Sequence, residues 1–140
     1  MLLKRIIIRS AVAFTLFLVC FVSYAAIPPG LSAVMSDCDA GVTKECLSAG
    51  VAFTRGSYKG KKVAKDKAKA KHYVNKALKS GERNCVQGDS MDCYTIGLLY
   101  FEGGGLVPTD IPRGLDFLRR SCRGGYKQAC TWLDNSGLQM

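Results

Sequence analysis

Six of the seven cysteines in this 140-residue chain fall into three pairs with identical spacing. Seven residues separate the two members of each pair: Cys38 and Cys46, Cys85 and Cys93, Cys122 and Cys130. Six cysteines allow fifteen disulfide pairings, and the repeated spacing favours a bond within each pair. Zinc is the alternative, but zinc sites prefer closer cysteines and often recruit histidine. Because the chain has a single histidine, the spacing favours disulfides.

The first 25 residues have the pattern of a secretory signal peptide. A basic start precedes an apolar run over residues 11–22, and small side chains follow at Ser23 and Ala25. The alternative is an uncleaved anchor, but the run is shorter than the roughly 20 residues of a spanning helix. Cleavage after Ala25 removes Cys20 and leaves an even number of cysteines. We therefore expect a periplasmic or secreted protein with disulfides and with no membrane span after cleavage.

The residues that follow the first two cysteine pairs repeat one another. The matched apolar positions have the i, i+3, i+4, i+7 spacing of a helix face, and each run ends at a glycine that stops the helix. In these first helices the match is Cys46, Ala49, Gly50, Phe53 and Gly56 with Cys93, Ile96, Gly97, Tyr100 and Gly103. In the helices that follow it is Ala70, Tyr73, Val74 and Ala77 with Gly114, Phe117, Leu118 and Ser121.

This periodicity predicts an all-helical chain, and no segment shows the sustained alternation of a strand. Helices are expected over 31–38, 43–55, 66–86, 90–102, 110–123 and 127–135, with Asp66 and Asp110 as N-caps. Gly81 is a potential kink in the third helix, and the first inter-helix loop is three residues longer than the second. The expected organisation is a signal peptide (1–25), a lead-in helix (26–42), repeat 1 (43–89), repeat 2 (90–126) and a truncated C-terminal helix (127–140).

A longer pattern accompanies the repeats. It runs Gly50-x-x-Phe53-x-x-Gly56 and then Val63-x-x-Asp66-x-x-Lys69-Ala70-x-x-Tyr73-x-x-Lys76-Ala77-x-x-x-Gly81. It resembles the Sel-one-like repeat, a relative of the tetratricopeptide repeat. The cysteine placement is similar to that of the bacterial cysteine-rich Hcp-type proteins, which are named as β-lactamases or penicillin-binding proteins. One departure is Leu78, which stands where that subfamily places a cysteine.

The resemblance implies a short right-handed α/α solenoid of Sel-one-like helix-turn-helix repeats, held by the disulfides. These repeats are mainly interaction scaffolds, so it implies a protein- or peptide-binding module of the cell envelope. The alternative that the family name implies is weak β-lactamase or penicillin-binding activity. The serine β-lactamase motifs S-x-x-K and K-T-G do not occur in the sequence. We therefore expect no catalytic residue, no cofactor and no metal.

The candidate binding residues are charged or aromatic side chains outside the repeated core positions. They are Arg55, Tyr58, Glu102, Arg119 and Trp132. The single histidine, His72, is off the apolar face of its helix, and we expect it to be exposed to solvent.

Positive charge is concentrated between Arg55 and Lys79, and the whole chain carries a formal charge of +9. Such a density favours capture of acidic partners, although a solvated, helix-favouring face is the plainer interpretation. Because an exported chain seldom meets nucleic acid, an acidic protein or peptide, an anionic polymer or an acidic lipid head group is the expected partner. The predicted basic patch comprises Lys59, Lys61, Lys62, Lys65 and Lys69.

Overall fold

A computed structural model describes residues 27–138, so the expected signal peptide lies outside the described residues. The described chain is mostly helical, as predicted, with one short hairpin in the first inter-helix loop. In chain order the elements are α1 (Leu31–Asp39), α2 (Thr43–Arg55), β1 (Ser57–Tyr58), β2 (Lys61–Lys62), α3 (Lys67–Val86), α4 (Ser90–Glu102), α5 (Ile111–Arg123) and α6 (Lys127–Asn135).

Aspartate side chains determine where three of the helices begin. The Asp66 carboxylate accepts a hydrogen bond from the Lys69 amide at 2.9 Å, and that of Asp110 accepts one from the Arg113 amide at 3.1 Å. Both predicted N-caps are therefore confirmed. Asp89 caps α4 in the same way, and the sequence reasoning did not single it out. Each cap satisfies a backbone N–H that the helix itself cannot, which typically contributes about 1 kcal/mol.

Each of the three disulfides joins the end of one helix to the beginning of the next. Cys38 bonds to Cys46, Cys85 to Cys93 and Cys122 to Cys130, with Cα–Cα distances of 4.5, 4.7 and 4.8 Å. The pairing is the nearest-neighbour one that the spacing predicted. It closes the α1–α2, α3–α4 and α5–α6 turns, and the α2–α3 and α4–α5 pairs are instead held by packing.

Glycines allow α4 and α5 to pack at backbone contact. A Cβ on Gly97 would lie 2.8 Å from Leu118 Cγ, and one on Gly114 would lie 2.8 Å from the Gly97 carbonyl oxygen. The equivalent glycine of the first pair, Gly50, would place a Cβ 2.7 Å from Val74 Cγ2. No Cβ fits at such distances without a shift of the neighbour, so the two helix pairs meet in the same close manner.

Each helix pair carries a stacked aromatic pair in its core. Phe53 and Tyr73 stack with ring centroids 5.7 Å apart, and Tyr100 and Phe117 stack at 6.0 Å. All four side chains are buried, as their matched positions in the sequence predicted. The two pairs therefore build equivalent cores from the repeated sequence positions.

A buried polar network joins the first pair to the second. Thr43 and Asn84 each donate a hydrogen bond of 2.7 Å to Asp92 Oδ2, and the Ser80 hydroxyl lies 3.2 Å from that of Thr43. These groups come from the beginning of α2, the end of α3 and the beginning of α4. Because a buried carboxylate is costly unless it is hydrogen-bonded, the network fixes these three helix ends relative to one another.

Two details differ from the sequence-based expectation. The first inter-helix loop forms a small antiparallel hairpin in which Ser57 pairs with Lys62 and Tyr58 with Lys61. Its two-residue turn has positive φ at Lys59 and Gly60, which suits the twist of a tight hairpin. In addition, α3 continues through Gly81 without a break. A Cβ at Gly81 would lie 2.4 Å from Ile96 Cγ2, so this glycine permits close contact with α4.

Removing one disulfide should destabilise the protein by about 2–3 kcal/mol. The replacement of Cys85 and Cys93 together by serine opens a short loop and increases the entropy of the unfolded chain. Urea denaturation of the oxidised protein measures the loss. Reduction of the wild type should lower its free energy of unfolding by more than the double substitution does, because two further disulfides open. Equal stability of oxidised wild type and double variant would contradict the structural role of this bond.

The replacement of Gly97 by alanine should destabilise the protein by about 1–3 kcal/mol, because the new methyl group would overlap Leu118. Intrinsic helix propensity predicts the opposite sign, since alanine favours a helix by about 1 kcal/mol over glycine. Asn75→Ala, at an exposed position of α3, is the matched control and should be neutral or slightly stabilising. Thermal denaturation of the two variants decides which effect dominates.

Candidate functional site

A groove of about 470 Å³ runs between α2 and α4, with the hairpin along one side. Most of its residues come from successive turns of these two helices, which the buried Thr43–Asp92 network holds in place. The lining residues are Lys44, Leu47, Ser48, Val51, Ala52, Arg55, Ser57, Tyr58, Lys59, Met91, Asp92 and Thr95.

The floor of this groove contains apolar side chains that the fold leaves in contact with solvent. Val51 is 39% exposed and Met91 is 49% exposed, although each belongs to a helix whose other face is buried. Leu47 is partly buried beside them and packs against the core of the first helix pair. Apolar side chains grouped in one recess, unlike scattered ones, are typical of a binding surface.

Three cations border the same groove. Lys44 and Arg55 extend from α2, and Lys59 occupies the hairpin turn, where its ammonium lies 5.4 Å from the centre of the Tyr58 ring. None of the three forms a salt bridge with an acid among residues 27–138. The one acid in the lining is Asp92, whose Oδ2 already accepts two hydrogen bonds. The groove therefore combines an apolar floor with a positive rim.

The five predicted binding residues do not form one site. Arg55 and Tyr58 line the groove. Glu102 is exposed at the C-terminal end of α4. Arg119 is half-buried on α5, where its Nε has no hydrogen-bond partner among residues 27–138. Trp132 lies in a separate recess.

The recess at Trp132 lies between α4 and α6. It has a volume of about 360 Å³ and is lined by Tyr94, Lys127, Gln128, Thr131, Trp132 and Asn135. The Trp132 ring packs edge-on against the Phe101 ring, with the ring centroids 4.9 Å apart. The rings of Tyr94 and Tyr126 are also in contact, with their centroids 5.2 Å apart. The tryptophan thus packs against its neighbour α4 while one side of it remains accessible.

The predicted basic patch is divided between the hairpin and the beginning of α3. Lys59, Lys61 and Lys62 belong to the hairpin and are exposed. Lys65 lies in the segment before α3, and Lys69 lies in its first turn, 3.7 Å from the Asp66 carboxylate and 5.4 Å from the centre of the Phe53 ring. The one acid in this stretch therefore already caps a helix and pairs with a lysine.

A second charged cluster connects α3, α4 and α5. The Tyr100 hydroxyl donates a hydrogen bond to Glu82, which also pairs with Arg113 at 2.8 Å. The Arg113 guanidinium lies 4.4 Å from the centre of the Tyr100 ring. Burial, and then the hydrogen bond and negative charge of Glu82, raise the pKa of Tyr100 to about 12. The cluster stabilises the neutral phenol and ties three helices together.

Among residues 27–138, no three His, Cys, Asp or Glu side chains lie close enough together to hold a metal ion. His72 is exposed on α3, as expected, and its ring contacts Tyr73 edge-on at 5.2 Å. No helix in the described part of the chain has the length and apolar character needed to cross a membrane.

The fold and the groove define this chain as a small, disulfide-bonded helical protein with an exposed apolar and basic recess. Comparison of the sequence and structure with family models, curated proteins and solved structures finds no match.

The stability of the protein should fall between pH 10 and pH 12 because of Tyr100. The pKa of this phenol is raised from 10.0 to about 12 on folding. Its contribution to the free energy of unfolding is therefore fully present below pH 10, and it is lost as the pH rises towards 12. The difference in stability between wild type and Tyr100→Phe should shrink across this window.

Denaturant titrations at several alkaline pH values measure this difference. Glu82→Gln retains hydrogen-bonding capacity at this position but removes the negative charge that contributes to the shift. The stability that Tyr100 loses between pH 10 and pH 12 should therefore be smaller in the Glu82→Gln variant. A difference between wild type and Tyr100→Phe that does not change from pH 10 to pH 12 would contradict the assignment.

Proposed function

We propose that this protein is an exported binding module that holds a short acidic peptide segment in the α2–α4 groove. The observation that carries the proposal is the pair of exposed apolar side chains, Val51 and Met91, in one groove with three cations that form no salt bridge within residues 27–138. A peptide that inserts one apolar side chain and presents carboxylates to the rim would complement both features.

The energetics of such a complex have two parts. Burial of apolar surface on Val51 and Met91 contributes about 25 cal/mol for each Å² removed from water. Arg55 can pair with a carboxylate through two parallel hydrogen bonds, which fixes the direction of the peptide as well as adding affinity. The positive rim also accelerates the encounter with an acidic segment, so binding should weaken at high salt.

The proposed architecture is a short right-handed solenoid of Sel-one-like repeats. The equivalent packing of the α2–α3 and α4–α5 pairs supports it, with α6 beginning a third pair. In such an array the first helix of each pair lines one continuous face, and repeat proteins use faces of this kind for binding. The groove occupies this position, since α2 and α4 are the first helices of the two pairs.

The proposed location is the periplasm or the extracellular space. Three disulfides in a small chain support it, because such bonds form and persist in oxidising compartments. The hydrolase that the family resemblance implies stays a prediction, which turnover of the β-lactam nitrocefin by the oxidised protein tests directly.

The groove should bind a short peptide in which one leucine is flanked by glutamates. Fluorescence anisotropy at low salt measures the dissociation constant. Because Arg55→Glu with Lys59→Glu reverses the rim charge, it should weaken binding about tenfold or more. Met91→Asn should also weaken binding, because it removes apolar area from the floor. This position is exposed, so the variant should remain folded.

The matched control is Lys71→Glu with Lys79→Glu, which makes the same change in net charge at exposed positions of α3 outside the groove. This control should bind the peptide nearly as well as wild type. Equal weakening by the two double variants would show a diffuse charge effect and would contradict a peptide site in the groove. Tighter binding of a peptide with lysines in place of the glutamates would also contradict a site for acidic peptides.

A further inference from the structure

A second cavity, of about 380 Å³, lies where the first helix pair meets the glycine loop of the second. It is separate from the α2–α4 groove and shares no lining residue with it. Its lining comes from the end of α2, the beginning of α3 and the loop after α4: Phe53, Thr54, Lys65, Lys67, Ala70, Gly104, Gly105 and Leu106.

The inner part of this cavity is apolar. Phe53 and Ala70 belong to the buried core of the first helix pair, and Leu106 packs against the cores of both pairs. Thr54 adds no free hydroxyl donor, since its Oγ1 donates to the Gly50 carbonyl at 2.8 Å. This part of the cavity suits a hydrocarbon group.

The glycine loop supplies backbone donors at the same place. Gly103, Gly104 and Gly105 all have positive φ, and the amides of Gly104 and Gly105 have no hydrogen-bond partner among the described residues. A Cβ on either of these two residues would meet nothing within 4 Å, so the loop is open on that side. Successive backbone N–H groups in such a conformation form a concave site for an anion.

Two lysines complete the polar side of the cavity. Neither Lys65 nor Lys67 forms a salt bridge with an acid among residues 27–138. The Lys65 stem lies across Gly56, with its Cγ 2.8 Å and its Cε 3.1 Å from where a Cβ of that glycine would be. Both lysines line the same recess as Gly104 and Gly105.

From this arrangement we infer that the cavity binds a single-chain amphiphilic anion, with a phosphate or carboxylate head and a hydrocarbon tail. The head accepts hydrogen bonds from the Gly104 and Gly105 amides and pairs with Lys65 and Lys67. The tail packs among Phe53, Ala70 and Leu106. The site does not depend on the peptide groove. In it, Lys65 and Lys67 bind the head group of the ligand.

Octyl phosphate, used as a free monomer, is the probe. Titration of the ¹⁵N-labelled, oxidised protein should move the amide proton signals of Gly104 and Gly105 downfield with saturation, because these amides gain an anionic acceptor. Ethyl phosphate should shift the same two signals but bind about tenfold more weakly or worse, since it lacks the methylene groups that the apolar part buries.

Charge variants separate a built site from general attraction to a basic protein. Lys65→Gln with Lys67→Gln should weaken octyl phosphate binding about tenfold. Lys61→Gln with Lys62→Gln removes the same charge from the nearby hairpin, outside the cavity, and should leave the affinity close to wild type. Arg55→Glu with Lys59→Glu, which disrupts the peptide groove, should leave the glycine signals responsive.

Three results would overturn the inference. The first is a titration in which the Gly104 and Gly105 signals do not move. The second is equal weakening by the two lysine-to-glutamine double variants. The third is binding to vesicles of an acidic phospholipid without binding of free octyl phosphate, which would show adsorption of the basic surface to a membrane.

Discussion

The closure of three helix-to-helix turns by disulfides is the constraint on which the rest of the structure depends. A chain of this size buries limited apolar surface, and its helix pairs meet through glycines and stacked rings rather than through a large core. Each disulfide restricts the unfolded chain and holds two consecutive helix ends within 5 Å. The Cys85–Cys93 bond lies beside the Asn84–Asp92 contact, which joins α3 to α4, and Asp92 also accepts the Thr43 hydrogen bond that holds α2 against α4.

Much of the fold could be predicted because its determinants are local in sequence. Helix faces follow from the spacing of Cys46, Gly50 and Phe53, and the N-caps of α3 and α5 follow from the single aspartates Asp66 and Asp110. The hairpin and the continuous helix at Gly81 could not be predicted in this way. Position 81 is glycine because Ile96 of α4 lies so close that a Cβ would overlap it. That close approach depends on how the two helix pairs pack. The Thr43–Asp92 network has the same origin, since its partners are 49 residues apart.

The residues of the candidate site also fall into some that could be predicted from the sequence and some that could not. Arg55 and Tyr58 were predicted from charge and aromatic character, and both line the groove. Val51 and Met91 were missed because an apolar residue in a helix is ordinarily assigned to the core. The signal that could have identified Val51 was its position, one residue after Gly50 and therefore off the face that carries Ala49 and Phe53. Gly104 and Gly105 were missed because the repeat pattern gave a structural role in this loop only to Gly103, as a helix stop.

The lysines of the basic segment are divided between two recesses, a helix cap and open surface, so they do not form one continuous charged patch. Lys59 borders the α2–α4 groove, Lys65 borders the second cavity, and Lys69 pairs with the carboxylate that caps α3. Residues only a few positions apart thus have different chemical surroundings, because the hairpin reverses the chain between them. Lys61 and Lys62 line neither recess and remain exposed to solvent. The fold rather than the composition therefore determines which cations border each recess.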